Sequence, residues 1–496
     1  MDYKPSERKS FDMQEQKQIL VTGVTGYIGG RLVPPLLGSN YSVRVLVRDP
    51  SRLQGRTWAD QVDIIQGDVL KPETLSPAMN GVTAAYYLIH SMSGSDDFHQ
   101  RDLIAASNFS NAAKMAGVNQ IIYLGGLGDP ETDLSEHLKS RQDTGHALAM
   151  AGVPVTEFRA AVIVGSGSIS FEMIRYLTER IPIMICPRWV FTRVQPISIR
   201  DVLAYLTATL EVPESIGKVI EIGGADVLTY GDMMMGYAEE RGLNRKLISV
   251  PVLTPRLSSY WVHWMTPVPA RITRPLIEGL RNEVVVRDNT AQTLFPKIQP
   301  VGYSAAVKRA LANLDLGEVE TRWTDALVSS QSESSPVVMK SQEGLIIERR
   351  MEEVFAPQKK IFESFTRLGG EQGWLYSDWA WEILGIIDRL FGGVGLRRGR
   401  RDPDDVRVGD AIDFWRVEAV EPDEMLRLRA ELKLPGKAWL QFEARALKNG
   451  DAQLIQTAFF APKGLFGLIS WYGLYPINSL IFSGLVRNLK ELSETS

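Results

Sequence analysis

The chain of 496 residues carries 55 Lys and Arg against 59 Asp and Glu, a formal net charge of -4. That near balance argues against nucleic acid as a partner, and a 44% hydrophobic content suffices for two or three cores of a soluble, cytoplasmic protein. The lone cysteine, Cys186, excludes an intramolecular disulfide and a cysteine-based metal cluster, while His90, His99, His137, His146 and His263 fall at no zinc-ligand spacing, so no metal is expected.

Residues 1–18, rich in Lys, Glu, Gln and Ser without an apolar run, predict a disordered tail and not a signal peptide. Next comes Ile19-Leu-Val-Thr-Gly-Val-Thr-Gly-Tyr-Ile-Gly-Gly30, a buried-strand run joined to Gly23, Gly26 and Gly29. Leu32, Val33, Leu36 and Leu37 continue it as a helix. Glycines at this spacing let the backbone turn sharply, bring peptide N–H groups close to a pyrophosphate, and set a helix N-terminus under the anion. The plain alternative is an ordinary strand-to-helix turn, and the following sequence weighs against it. A second apolar run, Tyr41 to Val47, ends in Arg48-Asp49, where the ribose of a dinucleotide would lie. An arginine there pairs with a 2'-phosphate, which favours NADP(H), with NAD(H) the alternative and a solvated loop charge the bland reading of Arg48. Further β-rich runs at Asp63–Val69, Ala84–His90 and Gln120–Gly126, separated by helix-like sequence, predict an α/β Rossmann-like, doubly wound parallel sheet.

On these pieces the chain resembles the short-chain dehydrogenase/reductase superfamily, in its atypical NmrA-like branch related to isoflavone reductase-type proteins and a subunit of respiratory complex I. The likeness also rests on Val47-Arg48-Asp49-Pro50, Gly67-Asp68-Val69, Phe158-Arg159-Ala160 and Ile197-Ser-Ile-Arg-Asp201, and covers about the first two thirds of the chain. It implies that Gly23, Thr25, Gly26, Tyr27, Ile28 and Gly29 line the pyrophosphate. It places Asp68 and Val69 beside the adenine, and Leu88, Ile89 and His90 on the nicotinamide side. Typical members carry a serine after the fifth strand and a Tyr-x-x-x-Lys pair on the next helix. Here Gly125-Gly126 and His137-Leu-Lys-Ser-Arg141 stand in those places. A histidine, with an ordinary pKa of about 6.5, can protonate a carbonyl near neutral pH, which makes His137 the substitute acid. Arg141 cannot deprotonate and would hold the ribose or a developing oxyanion. The bland reading leaves both as polar residues above a cofactor that never reacts.

After Asp201, Val219–Gly224 reads as a strand, Thr229 to Arg241 and Ala305 to Leu314 as helices. The Pro-bounded stretch 250–267 puts Trp261, Trp264 and Met265 at helical spacing; these line a substrate cleft or, more simply, fill a core. The dinucleotide-binding unit is thus expected over 19–328, followed by a polar linker over 329–343.

The remaining residues, 344–496, change pattern. Leu345–Phe355 predicts a strand, and Ala356–Phe365 a helix with Pro357 in its first turn, closed by Gly369-Gly370. Leu426 to Leu434 alternates Leu or Ala with Arg427, Arg429, Glu431 and Lys433, a period of two for a sheet with one wet face. Pro435-Gly436 and Asn449-Gly450 then mark hairpins into 438–444 and 453–460. This third resembles the SRPBCC or START-like helix-grip fold, an α+β antiparallel-sheet domain. The likeness rests on Gly369-Gly-Glu-Gln-Gly-Trp374, Arg397-Arg-Gly-Arg-Arg401, Asp413-Phe-Trp-Arg-Val417 and Leu434-Pro-Gly-Lys-Ala-Trp439. It implies an apolar pocket, for which Trp374, Trp379, Trp381, Trp415 and Trp439 are candidate lining residues. The Arg397–Arg401 knot is followed by Asp402, Asp404 and Asp405, a self-neutralising surface loop. The uncharged run Gly464 to Val486 is long enough to raise a membrane span, but Pro476 and Asn478 interrupt it. A terminal helix buried on its own sheet is therefore expected, with peripheral membrane contact the alternative.

The expectation for the whole is an NADP(H)-binding, reductase-like protein acting on an apolar small molecule, with a C-terminal ligand-binding module. The competing expectation is a non-catalytic dinucleotide-binding scaffold, redox sensor or assembly factor.

Overall fold

The computed structural model describes residues 16–53, 56–89, 98–250, 279–315, 337–342, 344–369, 373–376, 406–432, 435–447 and 450–495. The N-terminal sheet has seven strands. Its first part runs β1 (Gln18–Thr22), α1 (Tyr27–Gly38), β2 (Ser42–Val47), β3 (Asp63–Gln66), β4 (Val82–Tyr87), α2 (Phe98–Met115), β5 (Gln120–Gly126), α3 (Glu136–Ala149) and β6 (Val155–Ala160). Then follow α4 (Ile169–Arg180), β7 (Ile183–Pro187), α5 (Ile199–Ala208), β8 (Val219–Ile222), α6 (Tyr230–Arg241), β9 (Lys246–Val250) and α7 (Tyr303–Asp315). The strand order is β8-β6-β5-β4-β1-β2-β3, every neighbouring pair parallel. Strand alternation feeds two cores: Ile19 and Val21 meet Leu32 and Leu36 of α1 and Tyr205 of α5, while Leu20 between them meets Phe109 of α2 and Leu148 of α3. Order reverses between β1 and β4, so the crevice at their C-terminal ends is the natural ligand position.

A second seven-stranded sheet is antiparallel throughout. It consists of β10 (Val337–Gln342), β11 (Leu345–Val354), β12 (Ala411–Ile412), β13 (Trp415–Glu421), β14 (Met425–Ala430), β15 (Gly436–Ala446) and β16 (Ala452–Pro462), in the order β10-β11-β16-β15-β14-β13-β12. Two helices, α8 (Gln358–Thr366) and α9 (Gly464–Thr495), cover one face, where Phe365, Phe442, Leu485 and Leu489 form a single core.

Four expectations for this half are corrected. The span expected to be a linker contains β10 at 337–342, because β-branched Val337 and Val338 complete an edge strand on β11. The face of β14 expected to be wet is covered at Arg427, only 6% exposed, which donates to Gln441 Oε1 at 2.8 Å. The tryptophans do not form one lining: Trp374 and Trp415 pack 6.1 Å apart in the helix-covered core, whereas Trp439 lies on the opposite face with Ile347 and Phe459. Finally, α9 is buried on one side only, through Trp471, Ile481, Leu485 and Leu489, while Phe466 is 72% exposed and Ile477 52% exposed. Trp379, Trp381 and Arg397–Arg401 lie outside the described residues.

The two halves meet through α4. Glu179 in its last turn accepts from the Tyr237 hydroxyl at 2.9 Å, Arg241 Nε at 2.6 Å and the Gly464 N–H at 2.5 Å. Arg175, paired with Glu172, lies over Gly344, whose φ of +92° and missing side chain make room for the guanidinium. Leu311 of α7 adds an apolar contact to Leu345, Trp439 and Phe459.

Candidate functional site

Thr22 ends β1 with its hydroxyl donating to the Tyr86 carbonyl at 2.9 Å and accepting from the Leu88 N–H at 3.3 Å, which holds the ends of β1 and β4 level. Gly23 then adopts φ +71°, and a Cβ there would strike the Leu88 carbonyl oxygen. The Gly26 N–H closes the turn onto the Gly23 carbonyl at 2.9 Å, and a Cβ on Gly29 would stand 2.5 Å from that same oxygen. Both positions therefore admit only glycine without backbone movement. The N-cap of α1 is Gly26, which sets no side-chain oxygen over the first turn. The first-turn peptide N–H groups and the positive end of the helix dipole thus face the space above the glycines, the arrangement that holds a pyrophosphate.

That space opens into a cavity of about 440 Å³. Its lining brings together Gly23, Gly26, Tyr27, Ile28 and Gly29 of the turn, Leu88 and Ile89 after β4, and His137 and Arg141 of α3. An apolar part of the lining comes from Met173, Ile174 and Leu177 of α4 with Trp189, Met234 and Leu280. The spacing of 173, 174 and 177 sets one stripe of α4 toward the cavity, while Glu172, Arg175 and Glu179 lie on the stripe that holds the second sheet.

His137 and Arg141 stand one turn apart on α3 and so face the same way. Ser135 caps that helix by accepting the Leu138 N–H at 3.4 Å, and its own N–H donates to Asn282 Oδ1 at 3.1 Å. Asn282 also donates to the Asp133 carbonyl at 2.9 Å, and Arg287 joins Asp129 at 2.8 Å to buried Glu221 at 2.9 Å. The segment around 279–288 thereby clamps the loop that sets His137. Arg141 donates to the Leu124 carbonyl at the end of β5, and the Tyr123 hydroxyl donates to the Arg141 carbonyl at 2.9 Å. Burial pushes the Tyr123 phenol above its ordinary value, so it remains a neutral donor.

The glycine pair in place of the usual serine has a packing cause. A Cβ on Gly125 would lie 2.9 Å from Glu157 Oε1, and one on Gly126 would lie 3.0 Å from the Leu138 side chain. Glu157, paired with Arg159 at 2.7 Å, occupies the volume beneath α3.

Thr25, Arg48, Asp68 and Val69 lie outside the cavity lining. Arg48 is exposed at the end of β2; Asp68 Oδ1 accepts the Leu70 N–H at 3.0 Å; the Val69 side chain is buried against α2 and its carbonyl accepts from Asn108 at 3.0 Å. His90, Trp261, Trp264 and Met265 lie outside the described residues. Sequence reading passed over Arg56, whose guanidinium approaches to 3.5 Å of the Cβ position of Gly30 in the first turn of α1. It also missed Tyr123, Trp189 and Tyr230 in the lining. Nothing local marks these residues, because only the folded chain brings Arg56 to the first turn of α1 and the other three to the cavity.

The glycine geometry and the parallel sheet define a Rossmann-like scaffold of NAD(P)H-binding type. Residues 23–152 match the family described as NAD(P)H-binding, and residues 347–485 match a family described as a protein of unknown function, DUF2867. Over 276 residues the chain is 24% identical to the photosystem II assembly factor Ycf39 of Trieres chinensis, spanning 53% of this chain and 83% of that protein. Over 239 residues it is 26% identical to the ceramide reductase of Caulobacter vibrioides, spanning 47% and 73%. Among solved structures, the Citrobacter sp. triphenylmethane reductase complexed with NADP(H) superposes with a TM-score of 0.48 at 22% identity, over 59% of this chain and all of that one.

Proposed function

We propose that the protein is an NADPH-dependent reductase of an apolar carbonyl compound, held in the cavity beyond the glycine turn. The observation that carries this reading is continuity: one cavity joins the glycine turn, the His137 and Arg141 wall, and a chamber of Met173, Ile174, Leu177 and Met234. The bound dinucleotide would supply a hydride to the electrophilic carbon. Gly23, Gly26 and the first turn of α1 hold its pyrophosphate, and Arg48, assisted by Arg56, pairs with a 2'-phosphate. His137 supplies the proton to the carbonyl oxygen, and Arg141 steadies the charge that develops there. The apolar chamber excludes water and selects a hydrocarbon-rich substrate, in keeping with the ceramide reductase likeness. The apolar ligand is assigned to this cavity in preference to the second sheet, whose inward tryptophans pack on one another.

Titration of cofactor-stripped protein, followed by reduced-nicotinamide fluorescence, tests the first step. NADPH is expected to bind more tightly than NADH, and Arg48→Ala to weaken NADPH about tenfold with little change for NADH. Equal loss for both nucleotides would remove the 2'-phosphate role. His137→Gln is expected to lower turnover of a long-chain ketone or aldehyde by roughly 100-fold while leaving NADPH affinity within about twofold. An unchanged rate would take His137 out of the reaction.

A second reading, a scaffold that keeps its dinucleotide as a structural element, is favoured by Gly125 and Gly126 in place of the serine and by the likeness to an assembly factor. Cofactor retained through gel filtration and exchanged over hours would support it; exchange within seconds would support the reductase.

A further inference from the structure

We propose that the full chain docks on anionic lipid bilayers through the outer face of α9 together with a ledge formed by β7 and β9. The helix carries no charged residue from Gly464 to Val486. Its inner stripe is committed to the sheet, yet Phe466, Ile469, Tyr472, Ile477 and Leu480 are between 50% and 72% exposed. A helix that meets only water on its outer side carries charged residues there, and this one places aromatic and branched aliphatic side chains at that position.

The ledge extends the same surface. β7 and β9 pair in parallel with Ile185 opposite Ile248, and Ile183, Ile185 and Ile248 are each about half exposed. The two parts are contiguous: Arg245, one residue before β9, donates to the Glu179 carbonyl at 3.0 Å and stands 3.3 Å from the Cβ position of Gly464, the first residue of α9.

Charge selects the occupant. Segments 182–188, 243–250 and 463–486, which build the surface, contain Arg188, Arg245, Lys246 and Lys463 and no Asp or Glu. Apolar side chains beside cations of one sign match the acyl and phosphate layers of an anionic leaflet. A symmetric contact with a second copy would instead set these cations against their own equivalents. A span across the bilayer is disfavoured because Trp471, Ile481, Leu485 and Leu489 hold the helix to its own sheet core. The protein therefore lies on the membrane. Since α4 forms the cavity wall on one stripe and grips Gly464 on the other, the docked face adjoins the apolar chamber. Docking itself does not depend on the reductase reading.

The test is flotation of the full chain with vesicles of phosphatidylcholine and phosphatidylglycerol in equal parts, and with vesicles of phosphatidylcholine alone. Wild type is expected to float with the anionic vesicles. Phe466→Ser/Ile469→Ser is expected to lower the partition coefficient at least about tenfold, and Lys246→Glu/Lys463→Glu to weaken binding to anionic vesicles only. All four positions are solvent-exposed, and NADPH titration and circular dichroism confirm that each variant folds; Tyr472→Ser/Ile477→Ser serves as a second apolar pair. Wild type that stays with the soluble fraction, or variants that float as well as wild type, would overturn the proposal. So would a dimer by light scattering that the apolar variants split in the absence of vesicle binding.

Discussion

Both sheets bury a Glu-x-Arg pair on an inner strand, and they use it differently. In the parallel sheet Glu157 and Arg159 of β6 pair at 2.7 Å beneath α3, where Gly145 and Gly125 leave the space for the carboxylate. The pair supports the helix that carries His137, and the cavity opens outside it, at the C-terminal ends of the strands. In the antiparallel sheet Glu348 and Arg350 of β11 pair at 2.6 Å inside the helix-covered core, with Arg350 also reaching Ser483 at 3.1 Å and Gln456 at 3.3 Å. There the polar groups fasten α9 to its sheet, and Glu348 Oε2 has no hydrogen-bond partner among the described residues. A parallel sheet displays function at an edge, where sequence motifs record it. The antiparallel sheet stores its polarity in the middle, where sequence alternation cannot distinguish it from a wet face.

The largest expected effect breaks the pair in the second sheet. Arg350→Met leaves Glu348, which is 0% exposed, as an uncompensated buried charge, and should cost about 3–5 kcal/mol. The double change Glu348→Leu/Arg350→Met should recover most of that loss, and NADPH affinity should be unaltered in both. Thermal unfolding with and without NADPH checks this; a single variant as stable as wild type would mean that the pair does not fasten α9.

Gly23→Ala probes the other region. The left-handed backbone costs an alanine roughly 1–2 kcal/mol, and the added methyl meets the Leu88 carbonyl, which moves only with β4. NADPH binding should fall at least about tenfold while the second sheet keeps its unfolding transition. Simultaneous loss of both transitions would show that the two regions are one cooperative unit through Glu179 and Gly464.

Much of the first region was legible because its constraints are local. A residue without Cβ at three fixed positions, buried strand runs, and the boundaries of β5 at Gln120 and Gly126 follow from backbone sterics and burial. His137 and Arg141 were legible as neighbours by helical spacing. Arg56 and Trp189 were not, because only the folded chain brings them to the glycine turn and the cavity. In the second region the hairpins and α8 were legible from turn residues and Pro357. What failed was the assignment of faces: Trp415 and Trp439 lie on opposite sides, and Arg427 is covered. The uncharged stretch of α9 signalled burial, but nothing in it distinguishes burial in protein from burial against a membrane.

Asp201 sharpens the comparison with the smallest effect, since it is a buried carboxylate held by a backbone amide in place of a paired arginine. It sits in the first turn of α5, 9% exposed, and accepts the Val301 N–H at 3.0 Å. Burial raises its pKa, against the opposing pull of that hydrogen bond and of Arg309 and Arg200. A raised folded value means that the fold favours the neutral carboxyl. Its stabilising contribution is full below the ordinary carboxylate value near 4 and is lost as pH rises through the folded value. Asn keeps the acceptor oxygen and removes the charge, so Asp201→Asn should equal wild type or fall slightly below it under acidic conditions. Near neutral pH it should become more stable by up to about 1 kcal/mol. Unfolding temperatures of both proteins measured across that range decide the matter. A difference that does not change with pH would show that the carboxylate is as well held by one amide as Glu157 and Glu348 are by their arginines.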